Sequence, residues 1–126
     1  MKDANELRNA LSQFIGTEGY FFNPINRNIH YTDGAKFFFE NAGGGAYWLL
    51  DIFLTQPEIL KALNTEHFLV VQLTVNDDML AVLTVANDTG SDATVYYRRD
   101  LDYTDCPAGE WMFYMIDHVI LLPSEY

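Results

Sequence analysis

Few residues of this 126-residue chain combine types and spacings that suggest chemistry. Three histidines, His30, His67 and His118, lie far apart. Metal sites legible in sequence usually show one close pair, at i and i+4 on a helix or i and i+2 on a strand, and none is present. Ordinary, partly buried histidines are the favoured reading. Asp100-Leu101-Asp102, with Asp105 near, would put two carboxylates on one face of a strand, which suits a hard cation. The twelve-residue calcium loop, with its central glycine and terminal Glu, is missing, so casual binding is favoured over a built site. Cys106 as a nucleophile needs a histidine base and a lowered pKa, and its acidic neighbours Asp102, Asp105 and Glu110 work against the thiolate. Gly43-Gly44-Gly45 is followed by Ala46-Tyr47, where a phosphate loop needs Lys and Ser or Thr. It reads as a joint between helices. Ser12, Ser91 and Ser124 lack the Gly-x-Ser-x-Gly context of a nucleophile elbow. No catalytic residue, cofactor or metal ligand is assigned on these grounds.

The elements that would position these groups fall in two halves. Asp3 and Glu6 have capping-box spacing, and Leu7, Leu11 and Phe14 share one face, so a helix is expected over Asp3 to Phe14. Tyr20–Phe22 and Ile29–Tyr31, on either side of Asn-rich turn residues, read as a small hairpin or as an aromatic loop. Thr32 caps a second helix running to Asn41. Ala46 to Leu54 is apolar almost all round, the mark of a helix buried on most sides. Thr55-Gln56-Pro57-Glu58 has the spacing of another capping box, with Thr55 as cap, for a helix ending near Asn64. From there the period changes from helix to strand. Leu69, Val71, Leu73 and Val75 form one face of a strand over His67 to Val75. Further strands are expected at Met79–Ala86, Ala93–Arg99, Trp111–Ile116 and Val119–Leu122, with a loop over Asp100 to Gly109. The expected fold is α+β in a single domain, 1–126. A helical half, about 1–65, packs on one face of an antiparallel β-meander, about 66–126.

The charge is divided in the same way. Residues 66–126 carry 11 acids against 2 bases, a formal −9, out of −11 for the whole chain. Lys and Arg number only 7, so direct nucleic-acid binding is disfavoured, and so is an anionic membrane surface. A basic partner, or plain solubility, remains. The N-terminus has no apolar signal-peptide core, no apolar run approaches the ~20 residues of a membrane span, and the single cysteine fits a reducing compartment. A soluble intracellular protein is expected. The chain has nineteen aromatic residues, most of them core by composition. Tyr96, Tyr97, Tyr103 and Trp111 are candidates for interface anchors, where Tyr and Trp are enriched.

Four stretches carry a resemblance. They are Leu11-Ser12-Gln13-Phe14-Ile15-Gly16-Thr17-Glu18, Tyr31-Thr32-Asp33-Gly34, Gly45-Ala46-Tyr47-Trp48-Leu49-Leu50-Asp51, and Ile116-Asp117 with the closing Leu121-Leu122-Pro123-Ser124-Glu125-Tyr126. Together they resemble a family of small proteins of unknown function from bacteria, their phages and their plasmids. The resemblance spans nearly the whole chain and brings no activity or catalytic residues. The triple glycine and Phe37-Phe38-Phe39 stand out as departures from it. It implies a setting in mobile elements, where small acidic proteins often inhibit host defence. The expected function is accordingly that of a non-enzymatic, anti-CRISPR-like inhibitor. It would dock on a basic nucleic-acid-binding site of a host protein or nucleoprotein complex, through Asp77, Asp78, Asp88, Asp92, Asp100, Asp102, Asp105 and Glu110. A small His/Asp enzyme and a homodimeric accessory subunit are the alternatives.

Overall fold

The computed structural model describes residues 2–126. Helix α1 (Ala4–Leu11) starts where expected, with the Asp3 side chain accepting the Glu6 N–H at 2.8 Å. It stops three residues early, at Leu11. Phe14 lies beyond it in a turn and packs against Phe37, ring centroids 5.4 Å apart. Strands β1 (Tyr20–Asn23) and β2 (Asn26–Thr32) form the hairpin, pairing Phe21 with Tyr31 and Phe22 with His30. Helix α2 (Asp33–Asn41) follows, its first turn capped by the Thr32 hydroxyl, which accepts the Ala35 N–H. Helix α3 (Tyr47–Thr55) buries five of its nine residues, as its all-round apolar sequence requires.

Helix α4 (Pro57–Thr65) corrects one expectation. Gln56, not Thr55, holds the cap position, and its side chain makes no capping bond. The Thr55 hydroxyl instead donates to the Asp51 carbonyl one turn back at 2.6 Å, a bond open to any Thr inside a helix. Pro57 at the first helical position gives up no hydrogen bond and sets the start of α4 by itself.

Strands β3 (Phe68–Val75), β4 (Ala81–Ala86), β5 (Val95–Leu101), β6 (Gly109–Ile116) and β7 (Val119–Leu121) complete one seven-stranded sheet in the order β1-β2-β7-β6-β3-β4-β5. The fold is α+β, but it departs from an antiparallel meander in two ways. First, β6 pairs with β3, not with its sequence neighbour β5. Second, β7 runs parallel to β2, pairing His30 with Val119 and Tyr31 with Ile120. The N-terminal half is therefore not purely helical, because β1 and β2 come between α1 and α2 and join the sheet.

Composition explains the strand order. β6 turns Trp111, Phe113 and Met115 inward, and these bulky groups belong at the sheet centre. β5 carries Arg98, Arg99 and Asp100, charges that suit an edge and discourage pairing with other chains. Strand boundaries also shift. β4 begins at Ala81 because the Asn76 side chain accepts the N–H groups of Asp78 and Leu80 and holds a turn through 80, with Met79 in a left-handed conformation. β5 extends through Asp100 and Leu101, and β6 takes in Glu110, so these residues lie in strands and not in the expected loop.

One hydrophobic cluster joins all four helices to the inner sheet face. Phe38 meets Phe113 edge-on at 4.9 Å, and Phe39 stacks on the same ring at 5.8 Å. Each such buried side chain contributes about 1.5–3 kcal/mol from burial alone. On the opposite face Phe68, Tyr114 and Tyr126 form an aromatic trio with centroids 4.8 to 5.8 Å apart.

Candidate functional site

The pairing register sorts the acids. Val75 pairs with both Ala81 and Gly109, and Ala81 with Leu101, so the β3–β4 turn, the end of β5 and the start of β6 share one end of the sheet. Asp77, Asp78, Asp100, Asp102, Asp105 and Glu110 gather there. Asp88 and Asp92 do not. They sit in the β4–β5 turn beyond the Ala86–Val95 pair, at the opposite end. The eight expected residues thus divide into six and two.

The six differ in what already holds them. Asp77, Asp78 and Asp102 are exposed. Asp100 pairs with Arg98 across 3.2 Å of open surface, a contact worth about 0–1 kcal/mol. Glu110 accepts a hydrogen bond from the Gln72 amide at 2.8 Å. Asp105 is half-buried and accepts the Gly44 N–H at 2.8 Å, which ties the β5–β6 loop to the turn after α2. A second tie runs from the Thr104 N–H to the Met79 carbonyl at 2.9 Å and links that loop to the β3–β4 turn. The carboxylates are therefore carried on a braced platform. Basic groups at this end are fewer. Arg8 lies over the Trp111 ring at 5.0 Å, and Lys2 lines a cavity with Asp3, Asp77 and Asp105.

Cys106 is buried beside this platform. Burial pushes its thiol up, against a lowering hydrogen bond with Thr104, and the charge of Asp105 adds to the rise. This is the inert cysteine expected from its neighbours. Among the candidate anchors Trp111 belongs to the core, its indole N–H donating to the Pro107 carbonyl at 2.9 Å. Tyr96 donates its hydroxyl proton to Glu66, which raises its pKa, and Tyr97 packs against the core. Tyr103 alone of the four is largely exposed, at 66%.

The histidines come closer than their spacing suggested. His67 Nδ1 lies 2.5 Å from Asp117 Oδ1, and the His30 N–H donates to the His118 carbonyl at 2.9 Å. All three border the β6–β7 turn, where Asp117 and His118 are both left-handed. The His67–Asp117 pair is open to solvent, at 81% and 62% exposure. Among the described residues, no group of three or more His, Cys, Asp or Glu side chains is placed to hold a metal ion. No helix among the described residues is long and apolar enough to cross a membrane.

A further constellation centres on Glu125. Its carboxylate accepts the Thr32 hydroxyl at 2.7 Å, the Leu122 N–H at 2.9 Å, the Gly34 N–H at 3.3 Å and the Thr17 hydroxyl at 3.5 Å. It caps α2 with an anion where the helix dipole favours one. A Cβ on Gly34 would lie 2.5 Å from Glu125 Oε1, so this glycine admits the carboxylate. The adjacent Asp33 leaves one buried carboxylate oxygen without a hydrogen-bond partner. Tyr31-Thr32-Asp33-Gly34, the Thr17 segment and the closing Leu-Pro-Ser-Glu-Tyr are each visible as motifs. Only the fold shows that they meet, and the role they share at the start of α2 is structural.

Among the described residues, four helices against one face of a seven-stranded mixed sheet define an α+β protein with a carboxylate-rich sheet end. The chain belongs to the DUF6876 family, a family of unknown function, whose model matches residues 5–126. No curated protein and no solved structure matches it.

Proposed function

We propose that the protein is a non-enzymatic binding module that docks the acidic end of its sheet on a basic surface of a partner protein. The gathering of Asp77, Asp78, Asp100, Asp102, Asp105 and Glu110 at one end, on strand ends and on turns tied to each other and to the turn after α2, carries this reading. Carboxylates gathered at one end of the sheet fit a basic surface, and they attract one through the long-range field that speeds encounter. The partner class is a nucleic-acid-binding site rich in Lys and Arg, occupied in competition with its own ligand and without turnover. A CRISPR surveillance complex is the foremost example and a restriction enzyme the next, given the mobile-element setting that the sequence resemblance implies. The chain would act there as an inhibitor of host defence.

Affinity capture from the bacterial host, at low and at high salt, tests the reading. Retention of a basic nucleic-acid-binding protein that falls as salt shortens the screening length to about 8 Å and below supports it. Retention indifferent to salt and to charge reversal at Asp77 and Asp78 contradicts it.

A further inference from the structure

Beside the acidic end lies a cavity of about 350 Å³ lined by Gly45, Trp48, Leu101, Tyr103, Thr104 and Asp105. We propose that this cavity is the receptor for a single arginine side chain of the partner. The inference rests on the docking reading and specifies its anchor.

Three features of the lining point to arginine. Trp48 and Tyr103 supply aromatic surface, and the faces of such rings attract cations, indole most strongly. Leu101 offers apolar surface to the aliphatic stem of a long basic side chain. Asp105 supplies the countercharge. No Lys or Arg lines the cavity, and Lys2 borders Asp105 only from the neighbouring one. A planar guanidinium both stacks on aromatic rings and donates in a fork to a carboxylate, which a lysine ammonium does not.

The triple glycine belongs to the same device. Gly43 is left-handed at φ 59°, and a Cβ there would lie 2.5 Å from both the carbonyl oxygen and Oδ1 of Asp105. A Cβ on Gly44 would lie 3.0 Å from Oδ2, the oxygen that accepts the Gly44 N–H. Side-chain-free backbone thus wraps the Asp105 carboxylate and fixes its direction. That single hydrogen bond leaves most of the accepting capacity of a carboxylate for a ligand.

Titration of the 15N-labelled chain with N-acetyl-arginine methylamide tests the cavity directly. The citrulline analogue, which keeps the shape and loses the charge, is the control. Saturable shifts are expected at the Trp48 indole and at the amides of Gly44, Tyr103 and Asp105. The citrulline compound should bind at least about tenfold more weakly. Tyr103→Ala, at an exposed position, should weaken arginine binding about three- to fivefold while the rest of the spectrum is unchanged. Absence of saturable shifts, equal binding of citrulline, or an unaffected Tyr103→Ala variant would overturn the proposal. Asp77→Lys/Asp78→Lys should leave this titration intact while abolishing partner retention. Partner retention without arginine binding removes the cavity alone; arginine binding without partner retention removes the docking reading.

Discussion

The Asp105 carboxylate reaches back across the fold to the Gly44 N–H at 2.8 Å, joining two loops 61 residues apart. Through this contact the turn between α2 and α3 supports the acidic end of the sheet. At Gly43 the contact leaves no room for a side chain.

Gly43→Ala should accordingly destabilise the fold by about 2–4 kcal/mol, since it adds left-handed strain to a clash with the Asp105 backbone. A Cβ on Gly90 meets nothing within 4 Å. Gly90→Ala should therefore stay within about 0.5 kcal/mol of the parent. Urea denaturation of the two variants checks the contrast. Equal effects would mean that the wrapped carboxylate does not brace the fold.

Glu125 and Gly34 should show a coupling of their own. Glu125→Ala removes the acceptor of the Thr32 hydroxyl and the Gly34 N–H and should cost about 1–3 kcal/mol. Gly34→Ala drives a Cβ against the Glu125 carboxylate and against Leu122 Cδ1, at 2.8 Å. In the double variant the carboxylate clash is gone, so the combined loss should fall short of the two single losses together. Additive losses would place Glu125 away from α2.

Cys106 should react slowly. Burial raises its thiol pKa in the folded chain, so the native state holds that proton more tightly than the unfolded state does. The corresponding stability is fully present below the unfolded thiol value and is lost as pH rises through the folded one. Labelling by an aromatic disulfide at mildly alkaline pH should follow unfolding and accelerate strongly in denaturant. Rapid labelling of the native protein would show that the thiol is accessible and ionised.

The short-range features of this fold were legible because each has a local cause. The alternation of Leu69, Val71, Leu73 and Val75 sets the inner face of β3, and the Asp3 and Thr32 side chains cap the helices that follow them. The order of the strands was not, because β6 is drawn to β3 by the packing of Trp111 and Phe113 on α2 and not by its distance in sequence. Thr55 misleads for a related reason. Its hydroxyl satisfies the capping spacing on paper but is taken by the carbonyl of Asp51. The candidate site was half legible. Charge counting found the acids, and only the pairing register reveals that Asp88 and Asp92 stand apart from the other six. In sequence Asp105 is one carboxylate among several, and its seat in the glycine turn depends on a contact that no local pattern announces.

That division allows the central claim to be separated from net charge. Asp77→Lys/Asp78→Lys and Asp88→Lys/Asp92→Lys change the formal charge equally, at opposite ends of the sheet. The measurement is retention of host proteins by each variant and by the parent chain at low salt, compared band by band. A basic partner kept by the parent and by the Asp88/Asp92 variant, and lost by the Asp77/Asp78 variant, is the expected result. Equal loss from both variants, or from neither, would contradict docking through the acidic end.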